Sequence, residues 1–220
     1  HAALHAQGRE AGAVLAEARA SVAASIGARP EEIRFAPSAT IADNVAILGL
    51  ARARIRRGRH ILVSSIEHPA VLLAARHLAA EEGFEVEEIP VGRDGIVDPA
   101  SVMSLLRPDT TLVSVMAVNN EIGTVQPISE IAKVLEGSKA FFHTDASQAP
   151  GRIAIEFAHA VDLMTLSSHK VHGPKGAAAL FIRRRRDINI KPVFFGGGQE
   201  DALFPGTVNV LAAAGFGRAM

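Results

Sequence analysis

Lys170 is the residue whose type and position most favour covalent chemistry. It follows an apolar, strand-forming run at residues 161–166 and precedes a Gly-Pro-Lys-Gly turn at residues 173–176. A strand ending in such a loop would hold the amine at the carboxyl edge of a parallel sheet. An amine there can form a Schiff base with an aldehyde cofactor. The same local sequence also suits a solvated loop lysine, because most lysines are exposed.

Polar side chains follow five of the predicted strands at the point where each strand ends. Because an open parallel sheet binds its ligand at the carboxyl ends of its strands, these residues are candidates for one shared site. Of the five lysines in the chain, only Lys170 follows a buried strand among such residues. The strand-end candidates are Ala39, Thr40, Glu67, His68, Asn119, Asn120, Glu121, Asp145, Gln148, Ser167, His169 and Lys170.

The residue types at these strand ends suit a phosphorylated aromatic cofactor. Thr40 lies at a predicted helix N-terminus, which favours a phosphate but is equally compatible with a plain helix cap. Ser167 and His169 could donate to the same phosphate. A carboxylate at Asp145 could hold a pyridine nitrogen protonated, as pyridoxal phosphate requires. His68 could lie flat against a cofactor ring, or be a satisfied histidine above the core.

The elements that would position these residues alternate between helical and strand patterns. Strands separated by helices indicate a mostly parallel sheet that is covered on both faces. We therefore predict one α/β domain, a three-layer αβα sandwich. Predicted helices cover residues 6–26, 41–57, 69–82, 99–106 and 128–135, and predicted strands cover residues 33–35, 61–64, 86–91, 112–117, 140–145, 161–167 and 178–183.

Charge and composition argue against several kinds of partner. The formal net charge of zero gives no support for a nucleic-acid or anionic-membrane partner. The basic run at residues 183–186 has no interleaved aromatic residues and indicates a solvated strand end. The absence of cysteine excludes disulfides, thiolate metal sites and a cysteine nucleophile within these residues. The spacing of His143 and Asp145 is weak evidence for a metal, so no metal site is predicted.

Targeting and chain length give two further expectations. We find no apolar run of membrane-spanning length and no signal peptide, which favours a cytoplasmic location. The sequence begins without methionine and ends within a helical pattern, so we expect it to be part of a longer protein.

Several segments carry a family resemblance when taken together. They are VSVMAVNNEIGTVQPI (113–128), FFHTDASQAPGRI (141–153), DLMTLSSHKVHGPKGAAALFIRR (162–184) and GGGQEDALFPGTVNV (196–210), with IEHPAV (66–71) and the surroundings of Ala39 and Thr40 in support. These segments resemble the cysteine desulfurases, which are pyridoxal-phosphate enzymes of the class V aminotransferase superfamily and of fold type I. The resemblance covers nearly the whole chain, in order.

The resemblance implies a role for each residue around the cofactor ring. Lys170 would carry the cofactor as a Schiff base and later move the α-proton of the substrate. Asp145 would pair with the pyridine nitrogen, and Gln148 would hydrogen-bond the phenolic oxygen. His68 would stack on the ring and assist proton transfer, and Asn120 would contact both cofactor and substrate.

The resemblance also implies how the phosphate would be held. Ala39 (through its backbone), Thr40, Ser167 and His169 would bind it within one subunit. Thr207 would reach the phosphate of a neighbouring subunit, which implies a homodimer with shared sites.

The activity implied by the resemblance is the conversion of L-cysteine to L-alanine. The sulfur passes to an enzyme cysteine as a persulfide, for iron–sulfur cluster or thio-cofactor synthesis through an acceptor protein. In the family that cysteine, and the arginine that binds the substrate carboxylate, lie beyond the region matched here. We therefore expect residues 1–220 to be a pyridoxal-phosphate-binding large domain, incomplete at both ends and without its small C-terminal domain.

Departures from the family pattern leave alternatives open. The chain has Phe-Pro-Gly at residues 204–206 where the family usually has Arg-Ser-Gly, and Ile-Ala-Asp at residues 41–43 where it usually has Glu-Ser-Asn. Pro205 removes a backbone donor near the implied phosphate site. A non-catalytic scaffold that keeps the fold is one alternative, although it would not need an acid and an amine at one strand edge. A selenocysteine lyase, or a desulfurase that serves DNA sulfur modification, is the other.

Overall fold

The structure is a computed structural model that describes residues 5–184 and 188–220. The basic run predicted at residues 183–186 lies partly outside the described residues. In the described part of the chain no helix is long and apolar enough to cross a membrane, and no group of three or more histidine or acidic residues could hold a metal ion.

A single seven-stranded sheet forms the centre of the described chain, in the order β1-β7-β6-β5-β4-β2-β3. All neighbouring pairs from β6 to β3 are parallel, so the prediction of a mostly parallel sheet is confirmed. The exception is β7, which runs antiparallel to both β1 and β6. The strands are β1 (Ile33–Ala36), β2 (His60–Ser64), β3 (Glu85–Ile89), β4 (Thr110–Ser114), β5 (Phe141–Asp145), β6 (Leu163–Ser167) and β7 (Ala178–Ile182).

The reversed direction of β7 follows from its short connection to β6. Residues 168–177 join the two strands and contain only one short 3₁₀ turn, Ser168–Val171. A parallel return needs a crossover of a dozen or more residues, whereas a short connection joins antiparallel neighbours. The loop that carries Lys170 therefore leaves and re-enters the sheet through adjacent strands.

Helices cover both faces of the sheet, and alternate strand residues point to opposite faces. Phe142 and Met164 pack in a core with α1, α5, α6 and α7, whereas Phe141 and Leu163 pack in a second core with α2, α3 and α4. The predicted three-layer αβα sandwich is therefore confirmed. The helices are α1 (Ala6–Ser25), α2 (Ala39–Asn44), α3 (Leu50–Arg54), α4 (Pro69–Glu82), α5 (Pro99–Leu105), α6 (Ile128–Val134) and α7 (Val210–Ala219).

The helix predicted at residues 41–57 differs from the observed one in its bounds and in its interior. A continuous helical segment runs over residues 39–54, because α2 and α3 are joined by a π-helical turn at Val45–Gly49. It begins earlier than predicted because Ser38 acts as the N-cap, with its hydroxyl accepting from the amide of Ile41 at 3.3 Å. π turns are rare within helices and are frequent near functional sites.

Gly49, at the end of the π turn, allows another segment to cross this helix at close range. The amide of Lys191 donates to the carbonyl of Gly49 at 3.0 Å. A Cβ at Gly49 would lie 2.6 Å from the Lys191 carbonyl oxygen and 2.5 Å from Ile190 Cγ2. Glycine is required here because the crossing backbone occupies the space of a side chain.

Strand β4 ends at Ser114, three residues before its predicted end at residue 117. Beyond Ser114 the chain keeps its hydrogen bonds to β5, with the amide of Ala117 donating to the carbonyl of Asp145 at 2.9 Å. On the other side the amide of Met116 donates to the side chain of Glu67 instead of to β2. A buried side chain thus replaces the ladder and opens the sheet edge between β2 and β4.

Candidate active site

The carboxyl ends of β1, β2, β4, β5 and β6 meet at one edge of the sheet and border a cleft of about 290 Å³. Nine of the ten residues predicted to bind the cofactor or act in catalysis line this cleft. These nine residues are Ala39, Thr40, His68, Asn120, Asp145, Gln148, Ser167, His169 and Lys170. The structure thus brings them together, while the role of each one stays a prediction.

One end of the cleft has the hydrogen-bond donors that a phosphate needs. Ala39 and Thr40 form the first two positions of the helix that spans residues 39–54, where backbone amides have no intrahelical acceptor. The positive end of the helix dipole points to the same place. Ser167 and His169 lie on the opposite wall, with Ser167 Oγ 3.2 Å from His169 Nδ1. This end of the cleft is suited to bind an anion.

Lys170 lies in the 3₁₀ turn Ser168–Val171 that directly follows β6, and its side chain is partly buried. The turn closes where the amide of Gly173 donates to the Ser168 carbonyl at 3.0 Å. A Cβ at Gly173 would lie 2.3 Å from Ser168 Oγ, so a side chain here would displace the turn. Gly173, which begins the Gly-Pro-Lys-Gly turn, therefore fixes the loop that carries Lys170.

Asp145 is the last residue of β5, and its side chain is buried at the floor of the cleft. Burial raises the pKa of Asp145, while hydrogen bonds from Ser147 and the positive charges of His68 and Lys170 offset part of this rise. The backbone amide of Ser147 donates to Asp145 Oδ1 at 2.8 Å. A cation bound above this carboxylate would favour its ionised form.

His68 and Asn120 are positioned by hydrogen bonds of their own segments. His68 is the N-cap of α4, where its Nδ1 accepts from the amide of Ala70 at 3.1 Å. The buried side chain of Asn119 donates to the carbonyl of Ile66 at 3.0 Å and accepts from the amide of Glu121 at 2.9 Å. Asn119 thus ties the loop that presents Asn120 to the segment that presents His68.

Thr207 is the one predicted residue that the structure does not bring to the cleft. It is exposed and lines a second cavity of about 290 Å³ together with Phe35, Pro37 and Gly176. Thr207 therefore does not line the cleft of its own subunit. The sequence prediction had assigned Thr207 to the phosphate of a neighbouring subunit, which a single chain does not test.

The segment before Thr207 is held by a left-handed turn at residues 200–202. All three residues have positive φ, with values of 50° for Glu200, 56° for Asp201 and 61° for Ala202. Glu200 makes two hydrogen bonds to Arg19, at 2.6 and 2.7 Å, and its side chain is nearly fully buried. These ion-pair contacts offset the backbone strain of three non-glycine residues in this region.

Sequence reasoning assigned no role in the site to three ionisable residues that surround the floor of the cleft. Asp43 lines it, Glu67 and His143 lie behind it, and all three are buried. One signal was present, because Asp43 lies three residues after Thr40 and so shares a helix face with it. Glu67 was noted as a strand-end residue but was given no role.

The comparisons with known proteins agree with this fold and this cleft. The family model described as Aminotransferase class-V matches residues 1–220. Over 220 residues the chain is 44% identical to a protein named Cysteine desulfurase from Homo sapiens and 44% identical to one named Cysteine desulfurase, mitochondrial, from Candida albicans. It covers 48% and 45% of those two proteins, respectively. The chain thus spans about half the length of the curated relatives it matches.

Solved structures give the same result. The chain superimposes on DndA from Streptomyces lividans with a TM-score of 0.92 and 41% identity, covering 99% of this chain and 62% of that one. It superimposes on a structure described as SspA in complex with cysteine with a TM-score of 0.94 and 38% identity, covering 99% and 63%.

The fold and the family match define the class: this chain belongs to the class V aminotransferase family. Within that family, the relatives reported above are named cysteine desulfurases. Because one of them is named mitochondrial, the cytoplasmic location remains a prediction.

Proposed function

We propose that this chain forms the cofactor-binding part of a pyridoxal-phosphate-dependent cysteine desulfurase, which converts L-cysteine to L-alanine. The observation that carries the proposal is the convergence of an amine, a buried carboxylate and a helix N-terminus in one cleft, at Lys170, Asp145 and Ala39. The names of the relatives support the substrate, and a neighbouring structure of similar fold is described as a complex with cysteine.

The residues of the cleft fit pyridoxal phosphate at each of its polar groups. The amides of Ala39 and Thr40 would hold the phosphate, and Asp145 would hold the pyridine nitrogen. Gln148 would bind the phenolic oxygen, and Lys170 would attach to the aldehyde carbon. The donor set is thus complementary in charge: donors lie where the cofactor is anionic, and a carboxylate lies where it is cationic.

When bound, the cofactor supplies an electron sink for the negative charge left after a bond at the amino-acid Cα is broken. The chain's own residues handle the protons. Lys170 Nζ would accept the α-proton and return it, and the carboxylate of Asp145 would keep the ring nitrogen protonated. His68, at the N-cap of α4, borders the same cleft and would assist proton transfer.

The sulfur acceptor lies outside these 220 residues, because the sequence contains no cysteine. We propose that the sulfur leaves as a persulfide on a cysteine elsewhere in the protein and is then passed to an acceptor protein. The proposal extends to a homodimer in which Thr207 contributes to the phosphate site of the partner. The exposure of Thr207 outside its own cleft is the observation that supports this arrangement.

The experiment that tests the proposal is borohydride reduction of the purified protein after addition of pyridoxal phosphate, with mass spectrometry of the modified peptide. We expect one pyridoxyl group per chain, attached to Lys170. Lys170→Ala should abolish this labelling, because the amine that attaches to the aldehyde is removed.

Lys175→Ala is the matched control, since Lys175 is an exposed lysine of the same loop. This variant should be labelled to the wild-type extent. Labelling of Lys175 in the wild type, or persistent specific labelling of Lys170→Ala, would contradict the assignment of the amine.

A further inference from the structure

Asp43 is a buried carboxyl group at the floor of the cleft. It lies on the helix that spans residues 39–54, on the same wall as Thr40, and is 1% exposed. Neither of its oxygens has a hydrogen-bond partner of standard geometry among the described residues. A buried carboxylate without donors or a cation is strongly unfavourable, so the neutral acid is the favoured form.

The nearest basic group does not change this conclusion. His143 Nε2 lies 3.5 Å from Asp43 Oδ1, but burial lowers the pKa of His143 to about 3, so the imidazole is neutral. The imidazole contacts the hydroxyls of Ser114 at 2.8 Å and of Thr165 at 3.2 Å. A neutral acid at Asp43 would complete this buried chain by donating its proton towards His143 or Thr165.

The other charged groups around Asp43 belong to the sheet edge and to the loop before α4. Burial raises the pKa of Asp43 well above its usual value, and the negative charges of Asp145 and Glu67 raise it further. The hydroxyl of Thr165 offsets this in part. No described cation is placed to pair with Asp43.

Asp145 differs from Asp43 in both respects. It accepts the amide of Ser147 at 2.8 Å, and it faces the positive charges of His68 and Lys170. Two carboxyl groups in one cleft do not ionise together easily, so the one with donors and cations ionises first. The geometry makes Asp145 the anion and Asp43 the acid.

We propose that Asp43 remains a neutral carboxylic acid, which leaves Asp145 as the single anion that faces a bound cationic ring. The first part concerns the protein alone. The second part rests on the proposed function, because the cationic ring is the pyridine ring of the cofactor.

Infrared spectroscopy of the cofactor-free protein, with ¹³C-labelled aspartate, tests the first part. At neutral pH we expect a carboxylic-acid band that shifts with the label, so that it is distinguished from Glu67. The band should be lost in Asp43→Asn and retained in Asp145→Asn. A missing band in the wild type, or a band lost in Asp145→Asn and kept in Asp43→Asn, would overturn the proposal.

A pH titration of that band tests the coupling between the two acids and does not require Asp43→Asn to fold. In Asp145→Asn the band should disappear at a lower pH than in the wild type, because the charge that opposes ionisation has been removed. A merely structural Asp43 would titrate at the same pH in both proteins, which would count against the proposal.

Pyridoxal phosphate is then added to the wild type at neutral pH. We expect the Asp43 band to persist in the loaded protein, whereas its loss would show that Asp43 supplies the charge and would overturn the proposal. If pyridoxal phosphate does not bind, the proposed function fails, and the state of Asp43 is still decided by the first two measurements.

Discussion

At the scale of single residues, Glu67 is a buried carboxyl group beside the cleft whose protonation makes the stability of the protein depend on pH. Its carboxyl accepts hydrogen bonds from the hydroxyl of Ser64 at 2.7 Å and from the amide of Met116, and so bridges the ends of β2 and β4 where their ladder stops. Burial raises the pKa of Glu67 from 4.5 to about 8, since it outweighs both of these hydrogen bonds. The charge of Asp145 adds to the rise.

The shifted pKa of Glu67 predicts that the protein loses stability as the pH rises. Between the unfolded pKa of 4.5 and the folded pKa of about 8, the folded protein binds the proton and the unfolded chain does not. The free energy of unfolding therefore falls with pH across this window, by about 5 kcal/mol in total from this group. Denaturant titrations repeated from pH 5 to pH 9 give the free energy of unfolding at each pH. In Glu67→Gln this free energy should fall less steeply with pH than in the wild type.

The control for this prediction is Glu136→Gln, which changes an exposed glutamate. This variant should keep the wild-type slope. An unchanged slope in Glu67→Gln would mean that Glu67 is ionised in the folded protein at neutral pH.

The residues that could be predicted from the sequence are those that immediately follow strands. Asp145 ends one predicted strand and Lys170 lies three residues after the end of another, and the parallel sheet then brings them together. Asp43 and Glu67 could not be assigned in this way, because their burial depends on which segments pack above them. The sequence alone does not show whether a carboxyl group will have a hydrogen-bond donor beside it in the folded protein.

At the scale of elements, the left-handed turn at residues 200–202 stores backbone strain. Glu200 and Asp201 are held there by contacts with Arg19 and Arg34. The sequence shows three glycines before this turn but none within it. The strained residues thus come two to four positions after the last of these glycines.

Ala202 offers a direct test of this strain, because its methyl group makes no ion pair. Ala202→Gly should stabilise the protein by about 0.5–1 kcal/mol, since glycine adopts positive φ without a Cβ penalty. Gly198→Ala is the matched opposite change, at a position with negative φ and open space around the added Cβ. It should change stability by less than about 1 kcal/mol.

Thermal and denaturant unfolding measure both variants. A loss of stability in Ala202→Gly would show that the turn is not strained. The prediction concerns stability alone, because Ala202 does not line the cleft.

The helix over residues 39–54 shows where element prediction from sequence ends. The sequence was sufficient to predict that a helix follows β1, with Thr40 near its N-terminus. The π turn at Val45–Gly49 was not predictable, because it depends on the backbone of Lys191 crossing at Gly49. That contact joins residues more than a hundred positions apart.

At the scale of the whole molecule, Thr207 is the one predicted cofactor-binding residue that lies outside the cleft of its own chain. If Thr207 serves the phosphate site of a partner, Lys170→Ala and Thr207→Ala should complement each other. A mixed dimer of the two variants would contain one site with both residues intact and one site with neither. The cofactor concentration is chosen to occupy most wild-type sites and few sites of Thr207→Ala. Under this condition we expect each mixed dimer to trap close to one pyridoxyl group, several times more than the average of the two variants measured alone.

Each variant measured alone is the control. Lys170→Ala should not be labelled, and Thr207→Ala should bind pyridoxal phosphate about tenfold more weakly, the loss expected for one charge-assisted hydrogen bond. Mixing that gives only the average of the two variants would contradict a shared phosphate site.

The fold as a whole was predictable because its strands are apolar and regularly spaced. Consecutive residues such as Phe141 and Phe142 belong to opposite cores, and a strand buried on both faces is typical of a covered parallel sheet. The direction of β7 was not predicted, because a loop with lysine, glycine and proline is compatible with either a parallel or an antiparallel strand after it.

The reversed β7 has a consequence for how Lys170 is held. Because β6 and β7 are adjacent and lie inside the sheet, both ends of the loop at residues 168–177 are anchored in its interior. The Ser168 amide donates to the Ala177 carbonyl at 3.2 Å, which closes the loop at its base. Opening this loop would break hydrogen bonds of interior strands, so it cannot fray as an edge does. We therefore expect the segment that carries Lys170 to unfold together with the sheet and not independently as a surface loop.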